Sequence, residues 1–235
     1  MVNKTEEYQY FTDSIQRNIV DLSPKSARRV LDVGGGNGAY ADRIRARCGA
    51  QFCAIIDISH DAISNVRPTI DLAEVVDIEN SEALAKFFEQ HGPFDLILLL
   101  DVLEHLVDPW RVLSTLHGLM PDGGYILASI PNVQNYRVAI RAITGGWRYK
   151  DSGLFDRTHL RFFSRRSAQA MMTGTGLELV STSRAFGPAR QDKLASKLSL
   201  GLLDDLVTMQ NLYLVQKVAS EVIDPGDFGA KIAFS

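Results

Sequence analysis

Three glycines follow the first apolar segment of the chain. The sequence LDVGGGNGAY places Gly34, Gly36 and Gly38 between a predicted strand and a predicted helix. Glycine permits the positive φ of a tight turn and lets a ligand approach the backbone. The N-terminus of the following helix offers free N–H groups and a partial positive charge. The loop therefore predicts a site for a phosphate or a carboxylate.

Acidic residues lie at or near the ends of four predicted strands. Asp32 lies in the first of them, and Asp57, Asp77 and Asp101 end the others. The carboxyl ends of parallel strands share one edge of the sheet, where ligands bind. Asp57 is placed to accept hydrogen bonds from two ribose hydroxyls. The Asp77 carboxylate and the N–H of Ile78 can pair with an adenine edge, so the series predicts a nucleoside-containing cofactor.

The glycine loop also fits a second class of cofactor. Gly34, Gly36 and Ala39 match G-x-G-x-x-A, the dinucleotide-binding fingerprint. A nicotinamide-dependent dehydrogenase is therefore one alternative, although Asp77 and the LEHL motif have no role in such an enzyme. A regulatory or scaffold protein that binds the cofactor without turnover is another. It would keep the loop and Asp57 but show no acceptor chemistry.

Short apolar segments that alternate with helical patterns must position these residues. Such segments, bounded by turn residues, are typical of strands buried on both faces. Strand and helix in alternation predict an α/β fold with a mainly parallel sheet. The predicted strands are Arg29–Val33, Phe52–Ile56, Glu74–Val76, Phe94–Leu100 and Gly124–Ile130. The predicted helices are Ala39–Arg47, Asp61–Val66, Ser81–Gln90 and Pro109–Leu119, the last with Asp108 as N-cap.

The pattern changes in the second half of the chain. Asn132–Phe163 is rich in aromatic and basic residues and has no clear period. Ser164–Thr175 is predicted to be helical, and Leu177–Ser183 and Asn211–Lys217 are predicted strands. The leucine-rich, amphipathic stretch Gln191–Val207 lies between those strands. Its pattern favours packing or a homodimer contact over membrane contact.

Composition excludes several classes of protein. The 235 residues carry 25 Lys+Arg and 28 Asp+Glu, a formal charge of −3, which argues against a general nucleic-acid binder. No apolar run reaches the roughly 18 residues that span a bilayer, and the polar, acidic N-terminus does not resemble a signal peptide. Cys48 and Cys53 match no common zinc or redox spacing. We expect one cytoplasmic domain with no membrane insertion, no nucleic-acid partner and no metal site.

Together these motifs resemble class I S-adenosylmethionine-dependent methyltransferases. LDVGGGNG resembles the family's first motif, and IIDIS resembles its second. The stretch from FDLILLL to ILASIPN resembles its fourth and fifth strands with the helix between them. Within that stretch, LEHL is followed by D-P and P-x-G-G. The resemblance covers roughly residues 28–183. It implies a Rossmann-like fold whose mainly parallel seven-stranded sheet has an antiparallel last strand, with helices on both faces.

The resemblance also implies the parts of a single domain spanning residues 1–235. Residues 1–27 would form a helical lid that includes Tyr8, Tyr10 and Arg17. Residues 28–131 would bind the cofactor, residues 132–163 would cap the acceptor, and residues 164–235 would contain the final strands. Gly35 departs from the Cys or Ser usual in the family. It leaves a little more room, and we expect no loss of binding.

Residue roles toward S-adenosylmethionine follow from the same resemblance. The glycine loop would face the methionine part and Asp32 would orient its ammonium group. The acidic and apolar residues at the strand ends would contact the ribose, the adenine and the region near the sulfonium. The implied cofactor-binding residues are Asp32, Gly34, Gly36, Gly38, Asp57, Ile58, Asp77, Ile78, Leu100 and Asp101.

A narrower likeness concerns the acceptor. The element DRTHLRFF, Asp156 to Phe163, resembles a subgroup often associated with cell-surface polysaccharide or secondary-metabolite pathways. This implies a small-molecule or glycan acceptor without identifying it. Methylation at nitrogen would leave nearly the same sequence outside Asn132–Phe163, so the acceptor atom stays open, with oxygen favoured.

A hydroxyl acceptor would need a group to remove its proton, and histidine is the favoured side chain near neutral pH. Of five histidines, His105 follows the fourth strand near the methyl-donor end and His159 lies in the capping segment. These two are the predicted catalytic residues, and Glu104 could pair with either. A structural network of Asp156, Arg157 and His159 is the alternative. Structural or solvent roles are predicted for His60, His91 and His117.

Two further sets of residues in the capping segment admit two interpretations each. The basic residues could bind an anionic acceptor such as a nucleotide sugar, or form a solvated face. The aromatic residues could line an acceptor pocket, or form the local core of the segment. The basic set is Arg137, Arg141, Arg148 and Lys150, and the aromatic set is Trp147, Tyr149, Phe155, Phe162 and Phe163.

Overall fold

The computed structural model describes residues 14–187 and 190–218, which form one seven-stranded sheet with helices on both faces. The order of the strands is β3-β2-β1-β4-β5-β7-β6. β7 runs antiparallel to both of its neighbours, and the other pairs are parallel. The predicted fold class is confirmed. The strands are β1 Arg29–Val33, β2 Phe52–Asp57, β3 Leu72–Val75, β4 Leu96–Leu100, β5 Tyr125–Pro131, β6 Leu177–Phe186 and β7 Thr208–Lys217.

Several helices begin at a residue whose side chain caps them. Asp108 accepts the N–H of Arg111 ahead of Pro109, as predicted, and Ser164 forms a capping box with Ser167. The helices are α1 (14–22), α2 Ala39–Cys48, α3 His60–Ser64, α4 Ser81–His91, α5 Pro109–Leu119, α6 Tyr136–Ile143, α7 Arg165–Gly174, α8 Arg190–Leu198 and α9 Asp204–Val207, with 3-10 turns at Leu103–His105 and Gly153–Phe155.

Two hydrophobic clusters cover the two faces of the sheet. On one face, β1 and β4 pack with helices α4, α5 and α7 through side chains such as Leu99, Leu113 and Met171. On the other, α1 contributes Ile15 and Ile19 to a cluster that includes Leu98 and Leu212. The described part of the predicted lid is therefore built into the core. Tyr8 and Tyr10 lie outside the described residues, and the lid stays a prediction.

Two local predictions were wrong. The third strand covers Leu72–Val75 instead of Glu74–Val76, because Asp71, directly before it, already pairs with β2: its carboxylate accepts the N–H of Cys53. Residues 132–163 contain the helix α6, which the sequence interpretation missed. It is only eight residues long and Val138 is its one buried residue, and Asn135 caps it by accepting the N–H of Arg137.

The segment 132–163 leaves the sheet and returns to the same place. Asn132 at its start and Phe163 at its end form a β-bridge, and the N–H of Val133 donates to the carbonyl of Phe163 at 2.9 Å. Near its end, the N–H groups of Leu160 and Arg161 both donate to the carbonyl of Glu104. The segment is thus fastened beside the carboxyl end of β4.

Asn132 fixes this junction to the chain before β7. Its buried amide donates to the carbonyls of Asp205 (2.7 Å) and Thr208 (3.1 Å). Asn132→Ala removes the amide donor to the Asp205 carbonyl and one of the two amide donors to the Thr208 carbonyl, which also accepts from Asn135, and we expect a loss of about 1–3 kcal/mol in the free energy of unfolding. Urea denaturation measures the loss, with exposed Asn65→Ala as the control. Equal unfolding midpoints for the two variants would contradict the assignment.

Two further predictions concern contact with a second copy of the chain and contact with a membrane. Residues of the leucine-rich segment are exposed, among them Leu198 and Leu202, and a homodimer contact through them stays a prediction. Among the residues that the structure describes, no helix has the length and apolar character needed to cross a membrane.

Candidate functional site

Two cavities open side by side at the carboxyl edge of the sheet. The order of strands reverses between β1 and β4, which is where ligands bind in open α/β sheets. The first cavity, about 280 Å³, lies over the ends of β1, β2 and β3, and the second, about 210 Å³, lies between β4, β7 and the segment 132–163. Asp101 and His105 line both cavities, so ligands bound in the two would meet there.

Six of the ten predicted cofactor-binding residues line the first cavity. They are Gly34, Asp57, Ile58, Asp77, Ile78 and Asp101. Asp32, Gly36, Gly38 and Leu100 are not part of its lining. Further lining residues, which the sequence interpretation did not single out for this role, are Val33, Ile56, Val76, Glu79, Val102, His105 and Leu106.

The glycine loop has the backbone that its sequence predicts. Gly34, Gly36 and Gly38 all have positive φ, at 66°, 55° and 83°, a region that side chains with a Cβ rarely adopt. A Cβ on Gly36 would meet open space, so a ligand can approach the backbone there. A Cβ on Gly38 would lie 2.9 Å from Ile70 and 3.0 Å from Ile55. Gly38 therefore packs the loop against the protein.

Two turns, each closed by an aspartate side chain, line the first cavity. Asp57 accepts the N–H of Ser59 at 2.8 Å, and Asp77 accepts the N–H of Glu79 at 2.9 Å. Each carboxylate is fixed through one oxygen and has a second that can accept from a ligand. Ile58 lies between these turns with 69% of its surface exposed. Its side chain offers an apolar face to a planar ring.

Asp32 is a buried acid beneath the glycine loop. It is 1% exposed, and its Oδ2 has no hydrogen-bond partner. Burial raises the pKa of Asp32 to about 7, and the nearby charge of Asp57 adds to the increase. A Cβ on Gly35 would lie 2.6 Å from Oδ2. The room expected at Gly35 is therefore filled by the Asp32 carboxylate.

Asp32→Asn should stabilise the ligand-free protein at high pH. The folded protein keeps a proton on Asp32 from pH 3.8 to about 7 that the unfolded chain releases, so stability falls as pH rises through this window. The shift sets an upper bound of about 4 kcal/mol on the cost of the ionised group, and Asn has no such cost. Urea unfolding at pH 5 and pH 8 tests this, with exposed Asp61→Asn as control. A difference between Asp32→Asn and wild type that does not grow with pH would refute it.

Asp101 stands at the border of the two cavities in a strained backbone conformation. Its φ is 56°, which is uncommon for a residue other than glycine and frequent at functional sites. Its Oδ1 accepts from Ser129 Oγ at 2.9 Å and from Gln210 Nε2 at 2.5 Å. Asp101 is exposed to the cavities, and partial desolvation by the surrounding protein raises the pKa of its carboxyl although both bonds favour its ionised form. Leu100, its neighbour, packs in the second hydrophobic cluster.

The two predicted catalytic histidines meet in the second cavity. The rings of His105 and His159 lie edge to face with centroids 4.7 Å apart. Nδ1 of His105 lies 3.2 Å from the carbonyl and 3.0 Å from Oγ1 of Thr158, whose hydroxyl donates to Asp156 Oδ1 at 2.6 Å. Burial lowers the pKa of His159, and the charge of His105 lowers it further.

Glu104 lies directly beneath this pair. It is 1% exposed, and neither of its carboxylate oxygens has a hydrogen-bond partner. Nε2 of His159 is 4.0 Å from its Oε1. Burial raises the pKa of Glu104 well above its usual value, and the charge of Asp101 contributes to the increase. The sequence suggested that Glu104 could pair with one of these histidines. In the structure Glu104 and His159 are close to each other but are not hydrogen-bonded.

The other predicted candidates lie outside the second cavity. His60 is exposed, His91 pairs with Glu74 at 3.0 Å, and His117 is buried in α5. Arg157 faces Asp151 at the surface, so the alternative network joining Asp156, Arg157 and His159 is not formed as a unit.

The aromatic and basic residues of the segment have mainly structural contacts. Trp147 packs edge to face on Phe155 and on Phe162, which supports the local-core interpretation. Arg137 pairs with the buried Asp192 at 2.9 Å, and the Arg141 guanidinium lies over the Phe155 ring. Arg148, Tyr149 and Lys150 are exposed.

Three lining residues of the second cavity come from places that the sequence interpretation did not consider. Met209 and Gln210 lie near the start of β7, and Pro131 ends β5. Gln210 also holds Asp101. A polar amide at the start of an otherwise apolar strand, in the sequence TMQNLYLV, was the available signal. It could not be used without knowing that β7 lies beside β5.

Comparison with known proteins identifies the family of the chain. A family model described as a methyltransferase domain matches residues 6–182 of the chain. A ubiquinone biosynthesis O-methyltransferase of Paracidovorax citrulli strain AAC00-1 is 32% identical over 126 residues, 53% of this chain and 52% of that protein. The protein of the same name from Xanthomonas axonopodis pv. citri strain 306 is 31% identical over 167 residues, 69% of this chain and 67% of that protein.

These matches cover different shares of the chains compared. The chain spans about half the length of the first-named relative and of several others with the same name. Among solved structures, an S-adenosylmethionine-dependent methyltransferase from Archaeoglobus fulgidus superposes with a TM-score of 0.60 over 90% of this chain and 94% of that one. The identity is 16%, so this is a likeness of fold alone.

Proposed function

Because the chain belongs to the methyltransferase domain family, we propose that this S-adenosylmethionine-dependent methyltransferase transfers its methyl group to a hydroxyl oxygen of a small molecule or glycan. The observation that carries the proposal is the pair of cavities that meet at Asp101 and His105. A donor in one and an acceptor in the other would place their reacting atoms at this common border. Orientation of that kind is worth roughly 7–11 kcal/mol.

The first cavity fits the cofactor. S-adenosylmethionine supplies an activated methyl group on a sulfonium. Asp57 would accept from the ribose hydroxyls, exposed Ile58 would pack on the adenine, and Asp77 with the N–H of Ile78 would meet its edge. The open space at Gly36 suits the methionine carboxylate, and Asp32, buried beneath the glycine loop and outside the lining, would orient the ammonium group through water. Asp32→Asn would therefore weaken cofactor binding while it stabilises the free protein.

The second cavity would hold the acceptor. His105, His159 and Glu104 lie on its inner wall, and we assign the loss of the acceptor's hydroxyl proton to this cluster. Proton removal of this kind contributes about 10²–10⁴-fold to a rate. Asp101, which accepts hydrogen bonds from Ser129 and Gln210, would lie between the bound donor and the bound acceptor.

Oxygen as the acceptor atom is supported by the O-methyltransferase names of the relatives. A glycan is supported by the DRTHLRFF element, which brings Asp156 and His159 to the cavity. Family membership argues against the dehydrogenase and against a protein without turnover.

Thermal unfolding with S-adenosylmethionine, S-adenosylhomocysteine, NAD and NADP tests the cofactor, and transfer of a labelled methyl group to a panel of hydroxylated compounds and sugars tests the acceptor. A ligand at about 100 times its Kd adds roughly 2.7 kcal/mol, or roughly 5–10 °C for a domain of this size. We expect this shift with the first two ligands only. A shift with NAD or NADP alone would overturn the proposal, and labelling of amines alone would overturn the assignment to oxygen.

A further inference from the structure

Three side chains at the inner wall of the second cavity have the composition of a metal site. Glu104, His105 and His159 each present a ligand atom, and these atoms all lie within 4.8 Å of one another. Nothing in the spacing of the sequence predicts the cluster, because 54 positions separate the two histidines (159 minus 105). The backbone brings them together through the two N–H groups that donate to the carbonyl of Glu104.

The carboxylate of Glu104 lacks the partners that a buried acid requires. It is 1% exposed, and both oxygens are without a hydrogen bond. A buried polar group without a partner costs about 1–3 kcal/mol, and more when it is charged. Its nearest basic atom, Nε2 of His159, lies at 4.0 Å, which is too far for a hydrogen bond. A cation between the two would satisfy both groups at once.

The surroundings of His105 leave one ring nitrogen for a ligand. The Thr158 hydroxyl donates to Asp156, so its oxygen and the Thr158 carbonyl act as acceptors for the proton on Nδ1 of His105. The lone pair is then on Nε2. Histidines that bind metals usually donate their other N–H to a carbonyl or a carboxylate in this way.

The distances suit one ion after a small contraction. Nitrogen and oxygen ligands that bind one ion at about 2.1 Å lie about 3.0–3.4 Å apart. The His159–Glu104 separation of 4.0 Å would have to shorten by less than about 1 Å, and a pair at the 4.8 Å limit of the cluster by less than about 2 Å. Two imidazoles and a carboxylate are a ligand set for Zn²⁺ and other divalent ions of the first transition row, whereas Mg²⁺ and Ca²⁺ prefer oxygen ligands.

We propose that Glu104, His105 and His159 bind one divalent transition-metal ion, with open coordination positions that face the acceptor cavity. This inference replaces the sequence-based expectation of no metal. Resting on the proposed function, it also says how the cluster acts: the imidazoles are ligands, and the cation lowers the pKa of an acceptor hydroxyl at an open position. The proton leaves to solvent, the new C–O bond forms as the S–C bond breaks, and that electron pair stays on sulfur.

Metal binding can be measured without cofactor or acceptor. The whole chain, freed of any affinity tag and treated with a chelator, is titrated with Zn²⁺, Co²⁺ and Mg²⁺ by calorimetry, and Co²⁺ is followed by its visible absorption. We expect one equivalent of Zn²⁺ or Co²⁺ and much weaker binding of Mg²⁺. Glu104→Gln and His159→Ala should each weaken binding at least about 100-fold, and Thr158→Val by about tenfold.

Controls separate this site from other ligands on the chain. His91→Ala removes a surface histidine and should leave binding unchanged, and Cys48→Ser with Cys53→Ser excludes zinc bound by the two free thiols. Absence of saturable binding to the wild-type protein, or equal binding by Glu104→Gln, would overturn the inference. A protein that binds S-adenosylhomocysteine and transfers methyl groups but takes no metal would leave the proposed function standing.

Discussion

Replacing His159 with alanine should lower turnover about 10²–10⁴-fold and leave the affinity for S-adenosylmethionine unchanged. His159 lines the second cavity and not the first, so its loss removes the group nearest the acceptor without touching the cofactor. The expectation holds whether the imidazole accepts the proton itself or binds a cation that promotes its release. His105 lines both cavities, and its replacement would be a less specific test.

The measurement compares kcat for methyl transfer with the Kd for S-adenosylhomocysteine in the same preparation. His91→Ala is the matched control, because that ring lies at the end of α4 and pairs with Glu74 at the surface. Turnover at the wild-type rate would remove His159 from the mechanism. A parallel loss of cofactor affinity would instead indicate that the segment 132–163 had lost its position.

Asp57→Asn is expected to weaken cofactor binding about 100-fold while leaving the fold intact. Hydrogen bonds to charged groups are worth roughly 1.5–3 kcal/mol each, and about 2.7 kcal/mol corresponds to a factor of 100 in Kd. The asparagine Oδ1 can still accept the N–H of Ser59 at the position of the present 2.8 Å bond. Its Nδ2 would offer the ribose a donor where the carboxylate offers an acceptor.

Calorimetric titration with S-adenosylhomocysteine measures this loss, and Asp61→Asn is the control because Asp61 is exposed in the first turn of α3. The melting temperature without ligand should match the wild type. Unchanged affinity in Asp57→Asn would mean that the ribose is held elsewhere, and the position of the cofactor in the first cavity would have to be revised.

The features that sequence predicts well here are those set by local chemistry. Glycines with positive φ after β1, the acid Asp57 at the end of β2, and the cap Asp108 each depend on a few adjacent residues. Their structural positions agree with prediction, because the backbone conformation at such positions is dictated by the residues themselves. The functions assigned to them remain predictions to be tested.

Features that depend on strand neighbours could not be predicted in the same way. Gln210 contacts Asp101 across 109 positions of sequence, because β7 inserts between β5 and β6. A glutamate in a turn, such as Glu104, would be expected to face solvent. In the structure Glu104 is buried, because the chain at Leu160 packs over it. Burial of this kind follows from topology and leaves no periodic signal along the chain.

The junction at which residues 132–163 leave and rejoin the sheet bears on how acceptor preference can diverge. The two ends are neighbours joined by the bridge between Asn132 and Phe163, so a shorter or longer insert would close between the same anchors at little entropic cost. Loops so anchored tolerate exchange better than the strands that carry them. On the proposed function, chimeras that trade the part of this insert before Asp156 would change one wall of the acceptor cavity while keeping His159 and the cofactor half unchanged.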